Sequence, residues 1–108
     1  MTRPVLATLA NPTSPEQEDE FNTWYNEAHL KEMSEIPGIA RITRYRLADG
    51  PGAESAEHRY LALYELDGDP ATVLAEIRAR SQSLTSSPAL DTTGSRMALW
   101  LPVEGGSI

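Results

Sequence analysis

The chain has 108 residues, enough for one domain with one core, and it contains no cysteine, which excludes disulfides and cysteine-ligated metal centres. Sixteen acidic against nine basic residues give a formal net charge of −7, which argues against binding to nucleic acid phosphates. No apolar run reaches the roughly 18 residues of a membrane span, and the N-terminus is too polar for a signal peptide. We therefore expect a single domain over residues 1–108 that is cytoplasmic and binds neither nucleic acid nor a membrane.

The first half of the sequence predicts a strand, a helix and a second strand. Residues 4–10 form a short apolar run that ends at an Asn-Pro pair, as is typical of a strand. The helix is predicted to begin at Ser14, which completes a capping box with Gln17, and to end at the Pro-Gly pair of residues 37–38. Apolar residues recur between these ends at spacings of three and four and define one buried face. Residues 39–47, which are rich in β-branched and aromatic side chains, predict the second strand.

The second half predicts two further strands separated by a helix. A loop at residues 48–57 leads to a strand at 58–66, and Asp69 is expected to cap the helix that follows. An irregular loop at 85–95 then leads to the last strand, at 97–103. The order β-α-β-β-α-β predicts a ferredoxin-like α+β fold, in which a four-stranded antiparallel sheet carries both helices on one face.

Both faces of the predicted sheet are apolar. The first, third and fourth strands carry apolar residues in both registers of their alternation. Two helices cover only one face, and no third helix is predicted that could cover the other. A second copy of the same sheet is the simplest cover, so we expect a homodimer.

A recurring local pattern spans the first helix and the second strand, from Glu20 to Leu47. An aromatic-rich helix ends in Trp-Tyr-x-x-x-His-Leu, a Pro-Gly pair follows, and an arginine-rich strand ends near Arg-Tyr. The matching residues are Trp24, Tyr25, His29, Leu30, Pro37, Gly38, Arg44 and Tyr45. This pattern resembles the EthD-like proteins of the dimeric α/β-barrel superfamily.

The resemblance implies a dimeric α/β barrel with two sheets face to face, helices outside, and a pocket in each subunit between sheet and helices. The superfamily includes cofactor-free monooxygenases, lyases and dehydratases, muconolactone isomerases and haem-degrading enzymes. A fold shared by so many reactions does not by itself select one.

His29 is the leading candidate for a catalytic residue. It follows Tyr25 by four residues and so lies at the edge of the inward helix face. An imidazole with an ordinary pKa near 6.5 can act as acid or base at about neutral pH. The alternative is a histidine that only hydrogen-bonds a neighbour at the edge of the core. Tyr25 is the second catalytic candidate, because its phenol could orient a substrate carbonyl or the imidazole; otherwise it is a core residue with a solvated hydroxyl.

Six further residues are candidates for binding the substrate. They are Phe21, Trp24, Tyr45, Tyr60, Tyr64 and Arg44. The three tyrosines fall on neighbouring strands and could form one polar-tipped wall, or they could simply pack against each other across the strands. Arg44 could hold an anion, although the acidic helix also offers it partners.

The sequence predicts neither a metal nor an organic cofactor. Its only histidines, His29 and His58, have a spacing that matches no metal motif, and no glycine-rich nucleotide loop is present. We therefore expect a cofactor-independent lyase, isomerase or cyclase acting on a small aromatic or ketone-bearing molecule, with His29 moving a proton. The alternatives are a non-catalytic protein that binds a small hydrophobic molecule and, less favoured, a haem-handling monooxygenase.

Overall fold

The computed structural model describes residues 2–108, which form a four-stranded antiparallel sheet in the order β2-β3-β1-β4. The strands are β1 (Val5–Ala10), β2 (Ile39–Arg46), β3 (Tyr60–Leu66) and β4 (Arg96–Trp100). This is the strand order of the ferredoxin-like α+β fold, which confirms the fold predicted from the sequence. No helix within residues 2–108 has the length and apolar character needed to cross a membrane.

The first helix contains three kinds of turn. A short 3-10 turn at Pro15–Gln17 leads into α1 (Glu18–Trp24), and α2 (Leu30–Ser34) completes the helix. Between them Tyr25–His29 form a π-helical turn, called the π turn below. Spacings of three and four predicted an uninterrupted α-helix here, so the π turn is a difference from the sequence interpretation.

The second helix, α3 (Pro70–Arg80), begins as predicted, but the first helix does not. Asp69 Oδ2 accepts a hydrogen bond from the backbone N–H of Thr72 at 3.2 Å, which confirms Asp69 as the cap. Ser14 makes no such side-chain bond, so the predicted capping box is wrong. The reason is the tight 3-10 turn, in which the N–H of Gln17 already donates to the backbone oxygen of Ser14 at 3.0 Å.

Two strands are shorter than predicted. β3 begins at Tyr60 rather than at residue 58, because the N–H of Arg59 donates to the Asn11 side chain at 2.8 Å. β4 ends at Trp100 rather than at residue 103, because Trp100 pairs with Val5 and β1 offers no partner before it.

The core lies between the sheet and the helices. Alternate residues of β3 face it, and Tyr60, Ala62, Tyr64 and Leu66 are all buried. Ala89, in the irregular segment after α3, is also fully buried, and its carbonyl accepts a hydrogen bond from the N–H of Thr13 at 2.8 Å.

The opposite side of the sheet, called the open face below, is apolar and carries no helix. Leu63 and Ala7 pair at its centre, and Trp100, which pairs with Val5, leaves 64% of its surface exposed. The apolar residues of the open face are Val5, Ala7, Leu9, Tyr45, Leu61, Leu63, Ala98 and Trp100, and the same face also carries Arg41, Thr43, Glu65 and Arg96. The expected second apolar face is therefore present in the chain.

Gly38, which joins the first helix to β2, should not tolerate a side chain. Its φ is +94°, and a Cβ there would lie 2.4 Å from Val73 Cγ2. We expect Gly38→Ala to lower the free energy of unfolding by about 2–4 kcal/mol, the sum of left-handed strain and overpacking. Gly68 has a similar φ of +101° but open space around it, so Gly68→Ala should cost only about 1–2 kcal/mol. Equal losses for the two variants in urea denaturation would contradict the steric account.

Candidate functional site

A cavity of about 260 Å³ lies between the π turn, the sheet and the segment that follows α3. Its walls are mostly apolar, and among the predicted site residues Trp24, Tyr25, His29 and Tyr64 line it. Its volume is just below the roughly 300–1,000 Å³ of pockets that take drug-sized ligands. The cavity is therefore suited to a small molecule. A porphyrin, with its four linked pyrrole rings, is too large for it, which disfavours the haem-handling alternative.

The cavity opens at the start of β4. Leu9, Arg96 and Met97 are the exposed members of its lining, and the same three residues also border the concave part of the open face. Met97 is 61% exposed. The mouth of the cavity therefore lies where the helix side and the open face of the sheet meet.

The π turn places two aromatic rings against His29. The ring centres of Trp24 and Tyr25 each lie 4.9 Å from that of His29, with Trp24 tilted by 30° and Tyr25 nearly perpendicular. In a regular α-helix, residues five apart point roughly 140° away from each other. In the π turn, the N–H of Leu30 donates to the oxygen of Tyr25, so residues five apart come to the same side. Trp24 and Tyr25 can therefore both contact the imidazole.

The imidazole of His29 is half-buried and has an unpaired nitrogen. Its Nδ1 is buried and has no hydrogen-bond partner within residues 2–108. Burial lowers the pKa of His29, the nearby charge of Glu32 opposes that shift, and the charge of Arg44 adds to it. The ring is thus neutral at about pH 7, with one nitrogen able to donate and the other able to accept. A buried polar atom with no partner is uncommon in folded proteins, so the unpaired Nδ1 makes His29 an unusual position in this fold.

Three hydroxyl groups meet at the sheet side of the cavity. Thr8 Oγ1 and the Tyr25 hydroxyl lie 3.3 Å apart, and the Tyr25 and Tyr64 hydroxyls are also 3.3 Å apart. Burial raises the pKa of Tyr64, and the neighbouring Tyr25 raises it further. The Tyr64 hydroxyl therefore keeps its proton, and the hydroxyl cluster can donate a hydrogen bond to an acceptor oxygen in the cavity.

Arg44 does not reach the cavity. Its Nη1 donates to Asn26 Oδ1 at 2.8 Å and its Nη2 donates to Asn22 Oδ1 at 3.0 Å, while its guanidinium lies over the Tyr25 ring. The structure therefore does not bring Arg44 together with the predicted site residues that line the cavity. Its partners on the acidic helix are amides rather than carboxylates.

The single wall of tyrosines is also corrected. Tyr45 pairs with Leu61 and lies on the open face, because it follows the helix-facing Arg44 by one residue and strands alternate sides. Of the three strand tyrosines, Tyr45, Tyr60 and Tyr64, only Tyr64 lines the cavity. Tyr60 lies in the core beside Phe21, where its hydroxyl donates to Glu18 and accepts from Asn22. Phe21 is fully buried and packs the first helix against the sheet without lining the cavity.

Thr85 is a residue of the site that the sequence did not indicate. Its carbonyl accepts a hydrogen bond from Trp24 Nε1 at 3.0 Å, and its N–H and hydroxyl donate to the two carboxylate oxygens of Glu32, each at 2.9 Å. These bonds hold the segment after α3 against the first helix and keep Leu84 in the cavity wall. Partners 53 and 61 residues apart leave no periodic signal in the sequence.

Outside the cavity, two further polar side chains have structural partners. His58 Nε2 donates to the carbonyl of Gly94 at 2.6 Å, and Arg41 lies 3.9 Å from a carboxylate oxygen of Glu65. Across residues 2–108, no group of three or more histidine, cysteine, aspartate or glutamate side chains is placed to hold a metal ion.

Comparison with known proteins identifies the fold. No protein-family model and no curated protein matches the sequence. Among solved structures, an EthD family protein from Bacillus halodurans is similar with a TM-score of 0.57 and 12% identity, over 95% of this chain and 100% of that one. The chain has the EthD-like, ferredoxin-like fold. This confirms the resemblance that was based on residues 20–47.

Two more solved structures are similar to this chain in fold. A dimeric ferredoxin-like protein of unknown function from Jannaschia sp. has a TM-score of 0.58 and 17% identity, over 93% of this chain and 98% of that one. A monooxygenase from Streptomyces coelicolor, solved in complex with the ligand nanaomycin D, has a TM-score of 0.54 and 15% identity, over 99% and 91% of the two chains. Identities this low establish the fold and leave the reaction open.

The neutral imidazole in this EthD-like fold makes stability depend on pH. The folded pKa of His29 lies below its unfolded value of about 6.5, so below that pH the unfolded chain binds more protons than the folded chain. The stabilisation from neutral His29 is complete above about pH 6.5 and decreases as pH falls towards the folded pKa. As the pH falls from about 7.5 to 5, we expect the free energy of unfolding to decrease less in His29→Gln than in the wild type. His58→Gln is the control, and the same pH dependence in both variants would contradict the lowered pKa.

Proposed function

We propose that this protein is a cofactor-independent enzyme that binds a small aromatic or ketone-bearing molecule in the cavity and moves a proton on it. The reaction class is that of a lyase, isomerase or cyclase, and His29 is the acid–base residue. The observation that carries the proposal is that the His29 imidazole lines the same cavity as Tyr25 and Tyr64, whose hydroxyls lie 3.3 Å apart. A neutral imidazole is a competent base at about neutral pH.

The chemistry uses two sides of the cavity. His29 removes a proton from the carbon next to a carbonyl group, and the electrons of the C–H bond move towards the carbonyl oxygen to form an enolate. The hydroxyl cluster of Thr8, Tyr25 and Tyr64 donates to that oxygen and stabilises its negative charge, with Tyr25 closest to the imidazole. The imidazolium then returns the proton to a different carbon in an isomerisation, or to a departing group in an elimination. Apolar walls strengthen these interactions because they exclude water.

A second candidate function is a binding protein without catalysis. The mostly apolar lining favours it, because a carrier needs only apolar walls and one or two polar groups that orient its ligand. In that case the imidazole of His29 would form a hydrogen bond with a polar group of the ligand. The Streptomyces coelicolor structure, which holds nanaomycin D, supports a small-molecule site in either case.

We also infer that two copies of the chain pair through the open face. The exposed Trp100 and the apolar centre around Leu63 support this pairing, because large exposed apolar patches on soluble proteins mark interaction sites. The dimeric Jannaschia protein supports the same arrangement for this fold.

The exchange of α-protons in 2-tetralone, an enolisable bicyclic ketone, tests the function. In D2O, NMR should show the wild-type protein replacing these protons by deuterium faster than buffer alone. A carrier would show ligand-induced shifts at the resonances of His29 and Tyr25 without faster exchange. 2-Naphthol, an aromatic alcohol of similar size, serves as a second probe of binding. If 2-tetralone is not exchanged and neither compound binds, the proposed ligand site is overturned.

A further inference from the structure

Arg44 packs on the ring of Tyr25, which in turn contacts His29, the proposed acid–base residue. Its guanidinium carbon is 4.1 Å from the centre of the Tyr25 ring. The same carbon lies 5.5 Å from the centre of the Phe21 ring and 5.2 Å from that of the Tyr60 ring. Its two terminal nitrogens each donate a hydrogen bond to a side-chain amide of the first helix, one to Asn26 and the other to Asn22. Within residues 2–108 no carboxylate forms an ion pair with it, so its positive charge is not cancelled by a direct partner.

We propose that Arg44 is a positioning residue: its guanidinium fixes the Tyr25 ring against β2, and its positive charge disfavours a second positive charge on His29. The catalytic meaning of this role rests on the proposed function. The role itself concerns the state of His29 and can be measured without any substrate.

The fixing of Tyr25 follows from the geometry. A guanidinium stacked on an aromatic ring is attracted to its face, and the attraction is stronger where water is partly excluded. The two hydrogen bonds to Asn22 and Asn26 hold the guanidinium plane in one orientation just before and within the π turn. Tyr25 in turn contacts His29 nearly edge to face at 4.9 Å. The orientation of the imidazole therefore depends on Arg44 through one intermediate ring.

The charge effect depends on every group that faces His29. Those groups are Glu32 on the same helix, Arg44 on β2, Tyr64 on β3, Arg96 on β4, and Tyr25 next to the imidazole. Arg96 is exposed, so water and salt screen its charge. Glu32 favours a charged imidazole, but its carboxylate also accepts two hydrogen bonds from Thr85. Arg44 is half-buried and less screened, so it is the cation that offsets Glu32.

Titration of His29 by NMR, on protein with 13C-labelled histidine, tests the proposal. We expect Arg44→Met to raise the pKa of His29 above the wild-type value and to reduce the ring-current shifts that Tyr25 and Trp24 impose on its protons. Arg44→Lys keeps the charge but loses the two-pronged contact with the amides, so it should restore the pKa without fully restoring the ring-current shifts. Arg41→Met is the matched control, since it removes the same charge from an exposed position on the same strand.

The outcomes separate the parts of the proposal. A His29 titration in Arg44→Met that matches that of Arg41→Met would overturn the charge role, and unchanged ring-current shifts would overturn the positioning role. If Arg44→Met does not fold, Asn26→Ala, a change at an exposed residue, should loosen the guanidinium and move the titration in the same direction by less; no movement would overturn the proposal. If 2-tetralone exchange fails while these shifts appear, the proposed function is wrong and the role of Arg44 stands.

Discussion

Replacing His29 by glutamine is expected to slow the exchange of α-protons in 2-tetralone by roughly two to four decades, the usual contribution of one positioned proton-transfer group. Glutamine approximates the size of the imidazole and keeps a polar end but cannot accept a proton at neutral pH. The fold should survive because the buried Nδ1 of His29 has no hydrogen-bond partner, so the substitution breaks no hydrogen bond at this atom. Exchange rates from NMR, normalised to folded protein, measure the effect.

Two further variants make this result specific. His58→Gln removes the other histidine, whose bond to the Gly94 carbonyl lies outside the cavity, and should leave exchange unchanged. Tyr25→Phe removes one donor of the hydroxyl cluster and should slow exchange by about tenfold, equivalent to a hydrogen bond of roughly 1–1.5 kcal/mol. If His29→Gln instead keeps its turnover and loses only about 1 kcal/mol of stability, His29 is a structural residue.

A charge at the centre of the open face is expected to convert a dimer, of twice the 11.8 kDa chain mass, into a monomer. Leu63→Glu is the chosen change, because Leu63 pairs with Ala7 and Thr43 at the middle of the sheet and does not line the cavity. An unpaired buried charge costs about 3–5 kcal/mol, and a two-fold interface would contain it twice. Sedimentation of wild type and variant at micromolar concentration measures the change.

The control for this prediction adds the same charge away from the sheet. Ala79 is exposed on α3, so Ala79→Glu should leave the dimer intact. A wild-type protein that sediments as a monomer would contradict the pairing itself. A Leu63→Glu variant that remains a dimer would place the interface on another surface.

The sequence was sufficient for the fold because the signals that define it are local. Short apolar or β-branched runs predicted all four strands, and Asp69 located the start of α3. Apart from the π turn in the middle of the first helix, the errors in the fold lie at the ends of elements, where a competing hydrogen bond forms. Ser14 does not cap the first helix, because a 3-10 turn follows it. Arg59 is not part of β3, because its N–H donates to Asn11.

The candidate site was predictable only in part. Helical spacing brought His29 and Tyr25 together correctly, and both line the cavity. The contact of Trp24 with His29 was not predictable, because it depends on a change from α to π hydrogen bonding that composition does not reveal. Tyr45 was misplaced because the sequence does not reveal the register between β2 and β3. That register decides whether tyrosines on the two strands lie on the same face of the sheet.

The shared border of cavity and open face has a kinetic consequence. Leu9, Arg96 and Met97 form both the mouth of the cavity and part of the surface through which two copies are inferred to meet. Molecules must pass these side chains to enter, and a methionine with three rotatable bonds makes the passage adjustable in width. In a dimer that covers the open face, the partner would border this passage. The rates of ligand entry and escape would then change on dilution, even though every group that holds the ligand belongs to a single chain.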